Sequence, residues 1–211
     1  MKKGLFLTVL TIVEIALIIF GINYFINGNN MFGIIFLVIS FVLLLFVIIN
    51  YNKMIKYKNK IKEAFALVDI QLKLRFDLIP NLVKVVKGYN KHEKEVITEI
   101  TKLRKLALSA TDEKEKLDYA NQILPKLRNL IAVAESYPEI KSSVLYKDLM
   151  LQLVDVEDRL VAARRIYDSN VNIYNTTIEV FPNNILANVF GFKREELFKI
   201  DAGENIKFTI E

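Results

Sequence analysis

Residues 61–86 read IKEAFALVDIQLKLRFDLIPNLVKVV, and their apolar positions recur at steps of three and four. This spacing places the apolar side chains on one face of a helix, so the segment is predicted to be an amphipathic α-helix. The stripe consists of Ile61, Phe65, Val68, Leu72, Phe76, Ile79, Leu82 and Val86. Stripes this narrow and long are typical of helices that pack along their lengths in an antiparallel bundle.

The helical periodicity extends to residue 181. After a gap at His92–Glu93 it continues through Ile97, Ile100, Leu103 and Ala107. A second stripe runs from Leu117 to Ala134. A third stripe consists of Leu145, Leu149, Gln152, Val156, Leu160, Ala163, Tyr167, Asn170, Tyr174, Thr177 and Phe181. Pro138 and Pro182 are expected to end helices. No stretch of 51–182 alternates with period two over a strand's length. The predicted fold class is therefore all-α, with an antiparallel helical bundle over 51–190 and an irregular tail over 191–211. The apolar side chains of the tail are expected to pack on the end of the bundle: Phe190, Phe192, Leu197 and Phe198.

Two apolar segments precede the bundle. Leu5–Ile26 carries one charged residue, Glu14, and Met31–Ile49 carries none. Because a helix of roughly 20 apolar residues spans a bilayer, residues 1–50 are predicted to form a transmembrane hairpin with helices at about 5–26 and 31–49. The uncharged NGNN at 27–30 suits its turn.

The lysines set the predicted orientation. Lys2 and Lys3 precede the first apolar segment, and a basic cluster follows the second: Lys53, Lys56, Lys58, Lys60 and Lys62. Positive residues favour the cytoplasmic side, so both termini of this multi-pass protein are predicted to be cytoplasmic. The basic cluster would also lie against anionic lipid headgroups, although it could serve to fix topology alone.

The search for chemistry is largely negative. The chain contains no Cys and a single His, so thiolate zinc sites and HExxH metal sites are excluded. No Gly-rich phosphate loop and no nucleophile motif occur. The carboxylates Glu135, Asp155, Glu157 and Asp158 lie near arginines, and we interpret them as charge pairs, with Asp155 and Arg159 at i,i+4. No cofactor is predicted, and the alternating charges of 84–105 argue against nucleic-acid binding.

Glu14 is the exception inside the membrane. A charge near the middle of a membrane helix costs at least about 2.5–3.5 kcal/mol. In a hairpin that turns at 28–29, Glu14 would face about Leu43, with Ser40 one turn away. We expect a hydrogen-bonded or protonated Glu14 that joins helices or subunits, rather than an ion pathway.

Pro80, in RFDLIPNLV (75–83), admits two interpretations. Asp77 could cap a new helix whose first turn contains Pro80, where the missing N–H costs little. Alternatively, the helix continues through a kink, and the proline frees the carbonyl of Phe76. The unbroken apolar stripe favours the second interpretation, with Arg75, Asp77 and Asn81 beside the kink.

Four segments of this sequence resemble the LemA family of bacterial membrane proteins. They are VDIQLKLRFDLIPNLVKVVKGYNKHE (68–93), AVAESYPEIK (132–141), EDRLVAARRIYDSNVNIYNTTIEVFP (157–182) and NVFGF (188–192). The resemblance implies a membrane anchor followed by a bundle of four helices, with no established activity and no assigned catalytic residues. Family members typically look single-pass, whereas this chain is predicted to cross twice. The candidate structural or interaction residues are Glu14, Arg75, Asp77, Pro80, Asn81, Glu135, Tyr137, Pro138, Asn170, Tyr174 and Asn175.

These observations favour a non-enzymatic, membrane-tethered scaffold or adaptor with a protein partner or a second copy of itself. One alternative is a sensor in which a bound ligand shifts helix packing, which would require a cavity with convergent polar groups. The other is an enzyme that uses the bundle carboxylates, which would require two of them in one deep pocket.

Overall fold

The structure, a computed structural model, describes residues 2–27, 30–87 and 94–198, and the side chains of 11–27, 31–87 and 95–198. Every regular element in these ranges is a helix, which confirms the predicted all-α class. The helices are α1 (Lys2–Ile26), α2 (Asn30–Lys87), α3 (Lys94–Ser109), α4 (Glu113–Glu135), α5 (Pro138–Ser142), α6 (Val144–Glu179) and α7 (Asn183–Phe190). His92 and Glu93 lie outside the described residues.

The chain divides into two compact units. Among the described residues, unit 1 combines those up to Glu63 with Tyr167–Phe198, and unit 2 consists of those between Ala64 and Ile166. The first boundary falls inside α2 and the second inside α6, so each of these long helices contributes to both units.

In unit 1, α1 and the first part of α2 run antiparallel at close range. A Cβ atom built on Gly33 would lie 2.8 Å from the Gly21 carbonyl oxygen, and one on Gly21 would lie 3.0 Å from Leu37. Tyr24 of α1 packs its ring on Phe36 of α2, with 6.1 Å between centroids. The two glycines therefore allow a backbone approach that a larger residue would prevent.

The surface of this helix pair is apolar. Its large side chains remain exposed within unit 1, from Ile12 at 62% to Ile49 at 60%. By length and composition, α2 holds one stretch able to cross a membrane, and Thr11–Ile26 is a shorter apolar helix. Burial of the large apolar side chains of α2 starts at Met54, which has no exposed surface.

In unit 2, the described helices contribute to an apolar core, as expected of a helical bundle. Every residue of the stripe predicted from Ile61, the one member that belongs to unit 1, to Val86 is buried, as are Ile97, Ile100, Leu103 and Ala107 on α3. The predicted α4 positions from Ala120 to Ala134 are buried as well, whereas Leu117, the first of that stripe, is half-buried. Ion pairs join the segments at the surface: Lys116 of α4 with Asp69 of α2 at 2.7 Å, and Lys126 of α4 with Glu99 of α3 at 2.8 Å.

The stripe predicted on α6 is wrong at three exposed positions, and a fourth, Asn170, is only half-buried. Leu145 and Phe181 are exposed at 59% and 79%, and Gln152 is exposed too. Tyr146, Leu153 and Val171 take the buried positions instead. A strict run of three- and four-residue steps fixes one line along the helix, whereas the buried face of α6 is broader than that line, and Phe181 lies beyond the helix end.

The last described segment closes unit 1. The Phe181–Pro182 peptide bond is cis, α7 follows, and Gly191 caps α7 with φ 78°, a left-handed conformation that favours glycine. Residues 192–198 have no regular structure, and 199–211 of the predicted tail lie outside the described residues. Phe190 and Phe192 contact Tyr51, and Phe198 is buried beside Tyr167. Leu197 is 46% exposed, so its predicted packing is wrong.

Candidate functional site

Pro80 lies inside a continuous α2 and leaves the carbonyl of Phe76 without its usual helical donor. Arg104, on the neighbouring α3, supplies the replacement, with its Nε donating to the Phe76 oxygen at 2.6 Å. The interpretation of Pro80 as the start of a new helix is therefore wrong, because the hydrophobic stripe keeps its register through the proline.

The same arginine holds the adjacent carboxylate. Arg104 Nη2 lies 3.2 Å from Asp77 Oδ1, and the Asp77 side chain is 53% exposed. An ion pair this exposed contributes little. The bond from a charged donor to a partly buried carbonyl is the stronger of the two, at about 1.5–3 kcal/mol. Asn81, the residue after Pro80, is exposed.

Arg75 points the opposite way, into the core of unit 2. It is 2% exposed and forms an ion pair with Glu157 of α6, which is 6% exposed. Arg75 and Asp77 are two residues apart, which is about 200° around a helix, so the structure does not bring them together. Removing one partner from a buried pair of this kind leaves an uncompensated charge and is strongly destabilising.

In unit 1, the candidates Tyr174 and Asn175 hold the extended segment that follows α7. Asn175 Nδ2 donates to the Glu195 carbonyl at 2.9 Å, and the Glu195 N–H donates to Asn175 Oδ1 at 3.0 Å. The Tyr174 hydroxyl donates to the Lys193 carbonyl at 2.9 Å. Burial raises the pKa of Tyr174, and the Glu195 carboxylate adds to the rise.

Two neighbours on α6 extend this arrangement. The Tyr167 hydroxyl donates to the Glu196 carbonyl at 3.3 Å, and the Phe198 N–H donates to Asp168 Oδ1 at 2.8 Å. The side chains of α6 thus satisfy backbone groups of 193–198 as a paired strand would. Asn170, a third candidate on α6, is half-buried.

Glu14 meets Ser40 directly. The Ser40 hydroxyl donates to Glu14 Oε2 at 2.6 Å, and Ser40 is 5% exposed. The pairing is therefore about one turn away from the predicted alignment with Leu43. The carboxylate is turned toward α2, while the surrounding apolar side chains stay outside.

The candidates around the α4–α5 junction have lesser contacts. Glu135 ends α4 and is exposed, Tyr137 is half-buried, and Pro138 occupies the first turn of α5. Behind them, burial raises the pKa of Tyr146 to about 12, with a smaller contribution from Glu135. The Tyr146 hydroxyl has no hydrogen-bond partner among the described residues.

Two of the four candidate carboxylates, Asp155 and Glu157, form ion pairs in the described part of the chain. Asp155 and Arg159 pair at 2.9 Å on the surface of α6, which confirms the predicted i,i+4 pair. Within 11–27, 31–87 and 95–198, no three acidic or histidine side chains are grouped so as to hold a metal ion. In the basic cluster, Lys53, Lys56, Lys60 and Lys62 are exposed, whereas Lys58 pairs with Glu195 at 3.5 Å.

Comparison with known proteins identifies the family, and the matching region includes the contacts described above. The profile described as "LemA family" matches residues 64–210, which include the Pro80 site and the α6 side chains that hold 193–198. The chain belongs to the LemA family. A relative named Protein LemA, from Metamycoplasma hominis, is 26% identical over 181 residues and covers 82% of this chain and 83% of its own length.

Part of the sequence is also similar to proteins that are named for the magnetosome. Magnetosome protein MamQ 2 of Paramagnetospirillum magneticum is 44% identical over 73 residues, or 35% of this chain and 27% of that protein. Magnetosome protein MamQ of Magnetospirillum gryphiswaldense is 40% identical over 72 residues, or 34% and 26% of the two chains. The match thus spans about a quarter of the length of these magnetosome proteins.

Sequence reasoning missed several functional contacts of this LemA-family chain. Arg104 lies 28 residues from Phe76, and no local pattern links them. The rule that an internal proline frees the carbonyl four residues earlier does indicate that a donor is needed there. Tyr167 and Asp168 lie in the third family motif, yet their partners are backbone groups, which have no sequence signature.

Proposed function

We propose that this LemA-family chain is a non-enzymatic scaffold whose residues 1–50 form a two-pass membrane hairpin. The proposal includes an antiparallel four-helix bundle on the cytoplasmic side and both termini on that side. The observation that carries it is the abrupt change in burial along α2, from exposed apolar side chains up to Ile49 to a buried one at Met54. An apolar surface of that length is stable in hydrocarbon and unfavourable in water.

The Glu14–Ser40 bond supports the hairpin. A polar side chain inside a membrane protein is best tolerated where it faces a second helix and makes a hydrogen bond there. The close approach of Gly21 and Gly33 supports it further, because small residues are typical of contacts between membrane helices. Lys2 and Lys3 at one end and the basic cluster at the other support an orientation with both ends on the same side, because positive residues favour the cytoplasmic side.

Topology can be tested with single cysteines, since the chain has none of its own. Asn27→Cys should react with an impermeant maleimide added to intact cells, and Thr111→Cys should react only after permeabilisation. Both side chains are exposed, so accessibility within the protein is matched. Labelling of Thr111→Cys in intact cells would contradict the proposed orientation.

The scaffold role is supported by an uncovered apolar stripe on α2 of unit 2. Leu67, Ile70 and Leu74 lie on one face and are exposed at 45%, 52% and 42%. Exposed apolar patches of this kind mark interaction surfaces. The similarity of one segment to proteins named for the magnetosome is in keeping with a module used in more than one setting.

A photo-crosslinking amino acid at Ile70 in living cells, followed by mass spectrometry, tests this role. We expect a discrete crosslinked species at Ile70, either with a second copy or with another protein, and none at Lys84. Lys84 is an exposed polar position on the same helix and serves as the matched control. Equal, diffuse crosslinking at both positions would refute a defined partner at this stripe.

A further inference from the structure

A stretch of unit 1 outside the hairpin is also uncharged and apolar. Residues 180–192 read VFPNNILANVFGF and contain no ionisable side chain. The short helix α7 buries Asn183, Leu186 and Ala187 on one face. Four large apolar side chains of this stretch are exposed, with exposed fractions of 46%, 79%, 38% and 40% for Val180, Phe181, Ile185 and Phe190, and Asn188 is exposed as well.

This stretch lies where the apolar surface of the hairpin ends. The ring of Tyr51, two residues after Ile49, contacts Phe190 with 4.8 Å between centroids and Phe192 with 5.9 Å. Helix α7 also contacts α1. The exposed face of 180–192 is therefore continuous with the exposed apolar surface of α1 and α2, at the level of an interfacial tyrosine.

Basic side chains are exposed beside the stretch, and two of the acidic side chains near it form ion pairs, Glu179 with Arg194 at 3.0 Å and Glu195 with Lys58 at 3.5 Å. Lys53 and Lys56 follow Tyr51 on α2, and Lys193 and Arg194 follow Gly191. Both lysines on α2 and both basic residues after α7 are exposed. An apolar segment next to exposed basic side chains has the composition of an element that lies in the plane of an anionic membrane surface.

We propose that residues 180–192 are an interfacial membrane anchor, with Phe181 and Ile185 in the acyl-chain boundary of the bilayer that holds the hairpin. The inference rests on the proposed function, because it places this segment in the same bilayer as residues 1–50. The lipid is favoured over a second copy because the patch continues the lipid-facing surface and adjoins exposed cations. The segment would hold α6 and the 193–198 strap at a fixed height above the membrane.

Depth-dependent quenching of the full chain in liposomes with anionic headgroups tests the proposal. Single cysteines at Phe181 and Ile185 are labelled with an environment-sensitive fluorophore and quenched either by brominated acyl chains or by aqueous iodide. Ile39→Cys, exposed in the apolar part of α2, reports the hairpin, and Thr111→Cys is the aqueous reference. All four positions are exposed, so the substitutions leave the core intact, and helix content by circular dichroism checks the fold.

We expect brominated lipid to quench the labels at 181 and 185 nearly as strongly as the label at 39 and several-fold more than that at 111. Strong lipid quenching at 39 with only iodide quenching at 181 and 185 would overturn this inference and leave the hairpin standing. Iodide quenching at 39 would overturn the proposed function itself. Protection at 181 and 185 from both quenchers, lost when labelled chains are diluted into excess lipid, would assign the patch to a second copy and also overturn the lipid assignment.

Discussion

The bond from Arg104 to the Phe76 carbonyl makes a quantitative prediction about how α2 tolerates Pro80. Arg104→Met removes the donor and keeps an unbranched apolar side chain of similar reach. Loss of a charged donor to a carbonyl costs about 1.5–3 kcal/mol, and loss of the exposed pair with Asp77 costs at most about 1 kcal/mol. We expect the free energy of unfolding to fall by about 2–3 kcal/mol.

Arg104 is needed as a donor because Pro80 has no N–H group to donate to the Phe76 carbonyl. Pro80→Ala restores an N–H group that can donate to the Phe76 carbonyl within the helix. In that background, Arg104→Met should cost only about 1 kcal/mol, the remaining loss being the ion pair with Asp77. The coupling energy between the two sites is then on the order of 1–2 kcal/mol, within the range measured for residues in direct contact.

The assay is urea unfolding of the full chain in detergent micelles, followed by the circular dichroism of its helices. Pro125→Ala is the matched control, because Pro125 also lies inside a helix, α4, while the hydrogen bonds of Arg104 go to Phe76 and Asp77. The cost of Arg104→Met should be unchanged in the Pro125→Ala background. An equal cost in the wild-type and Pro80→Ala backgrounds would refute the assignment of Arg104 to the freed carbonyl.

Three further predictions concern buried polar groups and the helix pair. Arg75→Met should cost about 3–5 kcal/mol, and adding Glu157→Met should recover most of it, as urea titration of both variants would measure; no recovery would argue against the buried pair. The raised pKa of Tyr146 means that the neutral phenol is favoured in the folded state, so stability should be full below pH 10 and fall by about 2 kcal/mol as the pH approaches 12. Tyr146→Phe should abolish that fall and be neutral or stabilising at pH 7, since it removes a buried hydroxyl that has no partner among the described residues; a persistent fall would assign it to other groups. Gly33→Leu should separate α1 from α2 and weaken disulfide crosslinking between cysteines placed along the two helices, whereas Ile34→Leu, on the exposed side, should not; equal crosslinking would contradict the close approach.

Helix faces could be predicted from the sequence because a buried stripe is a local, periodic signal. The α2 stripe from Ile61 to Val86 holds at every position, even across Pro80. The same method placed Gln152 in the core of α6 and left Tyr146 out, although Tyr146 is 3% exposed. A periodic rule fixes a line on the helix but not the width of the face that the neighbouring helices cover.

The polar contacts could be predicted only in part. Asp155 and Arg159 are one helical turn apart, and that separation alone implies their pair. Arg75 was recognised as a candidate, but its partner Glu157 lies on another helix, and neither sequence separation nor periodicity identifies it. Long-range pairs depend on which helices pack side by side and on their register, and both are properties of the tertiary structure.

Several polar side chains of this chain bond to backbone atoms, and this bears on function. Arg104 bonds to a backbone carbonyl freed by Pro80, while Tyr174 and Asn175 bond to the backbone of 193–195. Groups committed to backbone atoms position helices and chain segments, whereas a catalytic site needs convergent groups aimed at a reacting atom. If these residues fix the shape of a membrane-tethered scaffold, Asn175→Ala should release the 193–198 strap. The crosslinks formed at Ile70, on the α2 stripe, should then change only to the extent that the fold changes. A variant that keeps full stability and strap protection in hydrogen exchange, yet loses the Ile70 crosslink, would mean that Asn175 recognises the partner itself.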